Sequence, residues 1–567
     1  MKGTMARHNN LTQTQTLGFL LKSHYLAEEF PGVVTTSNFA TYCVNKHASL
    51  ETVKALLGRT TLYGTFSAPR AVGTRRVLAL PHPTSQLALS RIIAENRDTI
   101  AAIIDSSKIT LYKTSSKIKE SRAFVGLDFR SRAKAEARIL ARSPVILKAD
   151  IANFFHTIYS HSLPWAVLGK QDVKNTREGK DKSAKDELKN HWSSKIDEAI
   201  QSGNSRETFG IPVGPDTSRI IAEILLAGIH KEEPFAKLMV GRDAYRLVDD
   251  FFIGFDDESA ARRCHDALRR VLWDYNLHLN ETKTKITPAS QVFENGWKFD
   301  IENFRITDTS PSKQHVAVGR LLDITLRHCE SEQDWRPASF FCRRLLSIDI
   351  DPSNFSFVRD CILRVGRDFT MCLKFVTQFV TNYRDSLADD ESRRIIEQWA
   401  KHILATHAKR GHDFEVSSIL VICGVLGIKV DQAFIALDEK IVSPVVLSII
   451  GLLSADQLLI GQWDEWRTPP AGTGSIANGR NWLPHYEAVL RKWTKDPEIL
   501  REIKSDPLFS QLLKSKVTFL DDSDFLSKTV KPSPAPMPSS GRKKPLAIAR
   551  SPARSERAMF SESYDQE

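Results

Sequence analysis

Apolar and polar positions change rhythm along this chain, and each rhythm predicts a different element. TRRVLALPHPTSQLALSRIIAENRDTI begins strand-like, then repeats apolar residues at Leu89, Ile92, Ile93 and Ile100, the spacing of an amphipathic helix. PVILKAD is a short apolar strand running into Asp150. TSRIIAEILLAGIHK predicts a helix with Thr217 or Ser218 as its N-cap. AYRLVDDFFIGF predicts two strands with Asp249 and Asp250 at or near a tight turn. SAARRCHDALRRVLWDYN gathers Cys264, Leu268, Val271, Leu272 and Tyr275 on one helical face. TKTKITPA closes the region as a short strand. The order strand, helix, hairpin, helix, strand predicts an α+β layer, a sheet covered on one side by helices.

Beyond residue 310 the rhythm becomes helical almost throughout, as in HVAVGRLLDITLRHC and RRIIEQWAKHILATHAK. SPVVLSIIGLLSADQLLIG predicts a buried helix pair, because Ser454, Asp456 and Gln457 interrupt its apolar run. WRTPPAGTGSIANGRN predicts a loop inserted between helices. The patterns divide the chain into a mixed segment at 1–140, the α+β segment at 141–305, an all-α segment at 306–528 and a tail at 529–567. The all-α segment is expected to resemble a helical repeat, though it shows no fixed period. The tail is rich in Pro, Ser and basic residues and is expected to be disordered.

Composition narrows this picture. A chain of 567 residues is expected to hold roughly two to four domains. A formal net charge of +11 hints at a polyanionic partner. The Lys-rich stretch KQDVKNTREGKDKSAKDELKNHWSSK is expected to be a solvated helix or loop, or else the basic flank of a nucleic-acid cleft. Seven scattered cysteines without a CxxC pair argue for a reducing compartment and against a zinc site or disulfide framework. The N-terminal residues lack the apolar region of a signal peptide, and no window reaches the roughly 18 apolar residues of a membrane span. A cytoplasmic protein without a membrane partner is expected.

The candidate chemistry begins with Asp150, a carboxylate at the end of an apolar strand, and Asp249 and Asp250, adjacent carboxylates inside another. An isolated Asp-Asp pair most often marks a solvated turn. Three carboxylates at two strand ends can converge, and they stay ionised together only beside cations. Hard divalent ions with oxygen ligands suit such a set. Two ions about 3.5–4 Å apart could serve an in-line phosphoryl displacement. Between the acidic motifs lies GIPVGPDTSRIIAEIL, a Gly-Pro loop leading into a helix N-terminus that favours phosphate.

The order ADIANFF, GIPVGPDTS, RLVDDF, LNETKTKI resembles the palm motifs of reverse transcriptases, with RRVLALPHPTSQLALSRIIAEN similar to their fingers segment. The resemblance implies right-hand-type fingers and palm, an antiparallel sheet with helices, followed here by the all-α region. It implies Asp150, Asp249 and Asp250 as catalytic and metal-binding residues, with the Ile151 carbonyl completing a site for two Mg²⁺ ions, or Mn²⁺ in their place. It places Phe155 under the nucleotide sugar, where an aromatic ring would exclude a ribose 2′-hydroxyl. Gly214 and Pro215 would position nucleotide and template. Lys283, with Lys285 as runner-up, would neutralise the leaving pyrophosphate. Arg76 would hold the triphosphate, with Arg75 equally placeable.

Leu247 stands where most members carry Tyr, and Val213 where many carry Gln. This dialect, with the long helical C-terminal region, resembles the bacterial abortive-infection and defence-associated group. That resemblance implies antiphage defence, dNTPs as substrates and RNA or DNA as partner. It leaves open template-independent synthesis primed by a protein hydroxyl, for which Tyr486 and Tyr564 come into view. A different class, a non-catalytic scaffold with a relic palm, fits less well, because unused buried carboxylates carry a stability cost. His82 and His161 are expected to be structural, and the helical region is expected to mediate self-association.

Overall fold

The computed structural model describes residues 12–22, 24–46, 58–71, 73–114, 124–125, 129–292, 297–302, 304, 306, 310–432, 443–461 and 475–526. The tail at 529–567 lies outside the described residues, as does most of WRTPPAGTGSIANGRN.

Strands β1 (Gly64–Ala71) and β2 (Thr74–Leu80) form an antiparallel hairpin. Helix α1 (Pro83–Glu95) follows, as the apolar spacing predicts. Pro83 pre-sets the first helical turn, and His82 caps it by accepting a bond from the Thr84 amide. Helix α2 (Phe129–Arg142) then leads into β3 (Val145–Ala149). The Lys-rich stretch folds into three helices, α3 (Lys170–Glu178), α4 (Lys182–Asn190) and α5 (Trp192–Gly203).

Helix α6 (Asp216–Ile229) starts earlier than its sequence suggests. Thr217 and Ser218 are buried inside its first turn, and Pro215 occupies the cap position. The proline fixes the extended backbone needed there, and the Asp216 carboxylate meets the positive end of the helix.

Strands β4 (Ala244–Leu247), β5 (Asp250–Phe255) and β6 (Lys285–Pro288) complete a four-stranded sheet with β3, ordered β4-β5-β3-β6 and antiparallel throughout. Between β5 and β6 runs α7 (Glu258–Asp274), whose predicted apolar face is buried. Period-2 alternation sends Leu147, Phe251, Ile253 and Phe255 to the face covered by α6 and α7. The opposite face is not bare, contrary to the one-sided layer expected: Ile146, Tyr245 and Phe252 pack there with Ile139 of α2. Gly254 makes that approach feasible, since a Cβ there would lie 2.1 Å from Ser143 Oγ.

Among the described residues after 310, helices dominate, with a two-residue parallel pairing of Val430–Asp431 with Leu459–Ile460. Its longer helices include α8 (Pro311–Glu332), α9 (Arg336–Leu346), α10 (Asp390–His407), α11 (Asp413–Leu426) and α12 (Pro444–Ala455). The expected helix pair at 443–461 is one helix, α12, followed by that strand. Gln457, at φ 59°, turns the chain too soon after Ala455 for a second helix. Phe66, Leu78 and Leu80 of the first hairpin share one apolar core with Phe341, Val376 and Ile422 of the helical region. Among the described residues no helix is long and apolar enough to cross a membrane, and all seven cysteines are buried free thiols.

Candidate active site

Asp150 caps β3 and is 6% exposed. Its carbonyl accepts the Asn280 amide at 2.7 Å, while the Ala152 amide donates to His278 at 2.8 Å. These bonds flank the Ile151–Leu279 bridge and do not use the Ile151 carbonyl. The same pairing delivers Lys283, whose Nζ lies 3.3 Å from Asp150 Oδ1. Lys285 instead sits in β6 opposite Lys148, so of the two lysines it is Lys283 that joins the acid.

Asp249 occupies the turn between β4 and β5, next to Val248 in the left-handed region at φ 47°. A β-branched residue there is strained, and a buried ion pair holds it. Arg246, fully buried, donates to both Glu223 oxygens at 2.9 and 2.8 Å and to the Val248 carbonyl at 2.8 Å. Sequence reasoning missed this pair. Its signal was an Arg inside an apolar strand and a Glu inside an apolar helix, each implying an opposite charge elsewhere.

Burial raises the Asp249 carboxyl to about 6, and the Asp150 charge pushes the same way, while Lys283 and Arg70 oppose both. The electrostatics thus brings Asp150, Asp249 and Lys283 together. Asp250 opens β5 and lines a cleft of about 750 Å³ with Asp150, Lys148, Lys283, Arg70 and Trp335. Asp249, whose proton affinity burial and the neighbouring Asp150 raise, forms with Asp150 a hard oxygen donor set beside an exposed lysine, and this fits divalent cations such as Mg²⁺.

Phe155 is half-buried, packs against Phe154 at 5.5 Å, and accepts the Ile211 amide on its carbonyl at 2.9 Å. The Gly-Pro loop is therefore fastened beside it. Val213 also accepts the Ala79 amide at 2.9 Å, tying the loop to β2. Gly214, at φ 122°, is where a Cβ would come 2.9 Å from the Ala27 methyl, and Pro215 then starts α6.

Arg76 is half-buried near Asp249: burial and Arg70 lower its pKa, and the Glu29 and Asp249 carboxylates oppose them. Arg75 also lines the cleft, but its guanidinium is taken by Glu415, to whose two oxygens it donates at 2.8 and 2.9 Å. His407, His412 and Glu415 also draw close enough to hold a metal ion. Glu415 already takes Arg75 and Thr370, and the two histidine Nδ1 atoms lie 2.7 Å apart within hydrogen-bonding reach, so the cluster reads as a polar hub between hairpin and helices.

His82 is buried, its Nε2 donates to the Ala477 carbonyl, and burial lowers its pKa to about 4. His161 Nδ1 lies 2.6 Å from Asp197. Tyr486 is unsuited to priming, because its hydroxyl is buried and donates to the Val517 carbonyl. Tyr564 lies outside the described residues.

Residues 74–299 match the sequence family described as "Reverse transcriptase (RNA-dependent DNA polymerase)". Similar solved structures include apo telomerase from Candida tropicalis truncated from its C-terminal domain, at 14% identity and TM-score 0.28, covering 46% of this chain and 57% of that one. Apo telomerase from Candida tropicalis follows at 11% and 0.29, covering 70% and 66%. Telomerase from Candida albicans with a TWJ fragment of telomeric RNA stands at 12% and 0.27, covering 68% and 70%. The chain thus spans less than two thirds of the length of the first two, and TM-scores this low carry no argument about it. The chain matches no curated protein. The family match spans every motif from the Arg76 strand to Lys283, and on that ground residues 74–299 form a reverse-transcriptase-type polymerase domain, a module of the RNA-directed DNA polymerases.

Proposed function

We propose that this chain polymerises dNTPs onto a hydroxyl primer at the Asp150–Asp249–Asp250 site, as a reverse transcriptase of bacterial antiphage defence. The observation that carries the reading is the convergence of Asp150 and Asp249 from separate strands beside Lys283, inside a domain of matching family. Asp150, Asp249, Asp250 and the Ile151 carbonyl would hold two Mg²⁺ ions, which would activate the attacking hydroxyl and stabilise the leaving oxygen. Lys283 and Arg76 supply positive charge to the triphosphate. Phe155 packs under the sugar and excludes a 2′-hydroxyl, and Gly214 and Pro215 let the loop backbone lie close to the nucleotide. The defence setting rests on the resemblance alone, carried by Leu247, Val213 and the helical C-terminal half.

A second reading, protein-primed synthesis without template, is favoured by the size of the cleft. About 750 Å³ suits a nucleotide, being within the roughly 300–1,000 Å³ of small-molecule sites. The Trp335 indole bonds the Arg70 carbonyl across the rim, where a duplex would need room. Incubation with labelled dNTPs, with and without primed RNA, followed by a denaturing gel, tests both readings. Mg²⁺-dependent incorporation that Asp249→Asn abolishes is expected. Label retained on the protein without template selects the second reading. Absence of incorporation in every arm, or full retention by Asp249→Asn, overturns the enzyme.

A further inference from the structure

Phe209 is 53% exposed, yet its backbone is fixed. Thr208 accepts the Ser160 amide at 2.8 Å, and Gly210 and Ile211 donate to Ile158 and Phe155, both at 2.9 Å. The ring is thus presented outward by a rigid segment, and its inner side rests on Tyr159 at 4.8 Å between centroids. Tyr159 continues to Trp165 at 5.6 Å and to His161 at 5.0 Å. The ammonium groups of Lys170 and Lys174 lie 5.2 and 5.7 Å from the Trp165 ring.

Beside this aromatic row, Arg177, Lys185, Lys189 and Ser194 line a pocket of about 310 Å³. The Ser194 hydroxyl is buried and finds no hydrogen-bond partner among the described residues. Two acids, Asp197 and Glu198, also line the pocket; His161, Gln201 and Arg177 engage the Asp197 carboxylate, which blunts its repulsion of an anion, and Glu198 is exposed to solvent, so the three cations outnumber the acids. Helix α4 buries none of its residues and α3 buries only Val173, so this basic face lacks a covering element within the described chain.

We propose that this flank binds single-stranded nucleic acid, with Phe209 stacking on a base and the Arg177–Lys185–Lys189 pocket taking a backbone phosphate that also accepts the Ser194 hydroxyl. An exposed aromatic face beside cations is what an unpaired strand requires: every base offers a ring face, and every linkage a negative charge. A duplex hides its base faces and would meet only the cations. The site rests on the polymerase reading for its purpose. Ile211, two residues from Phe209, bonds Phe155 next to the nucleotide site, so a strand held here lies beside the path to Asp150.

The test is fluorescence anisotropy of labelled 15-residue RNA and DNA single strands, and of a duplex, with the full chain across a salt series. Phe209→Ala is expected to weaken single-strand binding about tenfold and leave the salt slope unchanged, with Phe209→Trp restoring affinity. Lys185→Glu with Lys189→Glu is expected to weaken binding and flatten the slope by roughly 0.7, for the one phosphate contact. The tighter single strand identifies which nucleic acid the track carries. Phe209→Ala within twofold of the parent, or an equal loss with duplex, overturns the proposal. Normal incorporation with no Phe209 dependence of binding would remove the track and leave the polymerase. Phe209-dependent binding with no incorporation would remove the polymerase and leave the track.

Discussion

At the scale of the residue, the candidate site depends on a turn that opposes its own chemistry. Val248 holds a left-handed backbone, and Asp249 sits where burial and Asp150 both resist its charge. Arg246 steadies this arrangement by closing on Glu223 and the Val248 carbonyl. Glu223→Gln would leave the Arg246 guanidinium buried without a counter-charge, a loss of about 3–5 kcal/mol. Denaturant titration should show that loss, with reduced nucleotide incorporation in the surviving folded protein. The double change Arg246→Met with Glu223→Leu should recover much of the stability and little of the incorporation. A single variant costing no more than about 0.5 kcal/mol, as surface changes do, would show that the pair does not hold the turn. The acids were legible in the sequence because residue type, order and apolar flanks coincide at Asp150, Asp249 and Asp250. The pair that supports them was not, because burial of a charge is visible in one dimension while its partner is not.

At the scale of the element, the two neighbouring arginines of β2 separate by strand alternation, which sends adjacent side chains to opposite faces. Arg76 stays with the acids, and Arg75 crosses to Glu415 in α11. The sequence made them equivalent because α11 lies more than three hundred residues away. The same helix also receives the Ser67 amide on Asp413 at 2.7 Å, so it is fastened to both strands of the hairpin. Arg75→Met should therefore cost roughly 2–4 kcal/mol, since Glu415 is 1% exposed and would lose its cation. Arg76→Met should leave the unfolding midpoint nearly unchanged and raise the KM for dNTP. Parallel denaturation and steady-state kinetics on the two variants check this. A reversed pattern, with Arg75 governing KM and Arg76 governing stability, would exchange their roles. The one-sided sheet failed as an expectation for a similar reason: only the contact itself reveals that Gly254 makes room for α2.

At the scale of the whole molecule, the core divides differently from the sequence. The first hairpin reads as part of the N-terminal half, yet Phe66, Leu78 and Leu80 are buried with the helical region, while the strands of the four-stranded sheet keep a core of their own around Leu147, Phe251 and Ile253. The cleft over Asp150 and Asp250 therefore lies between a hairpin carried by the helical half and a separately packed sheet. Trp335, which begins the turn into α9, closes the rim by donating to the Arg70 carbonyl at 2.6 Å. Residues joined through one core should open together, and a rim bond should govern only the hairpin tip. Trp335→Ala removes the indole donor but leaves the shared core intact. Amide hydrogen exchange should then accelerate near residues 70–76, remain slow at 64–68 where the hairpin enters the core, and stay unchanged at 145–149 in β3. If the variant instead quickens exchange through β3 and β5, the four-stranded sheet depends on the rim contact and the two cores do not behave as separate bodies. If exchange changes nowhere, the Trp335–Arg70 bond does not restrain the cleft, and the hairpin is held by its shared core and its bonds to α11.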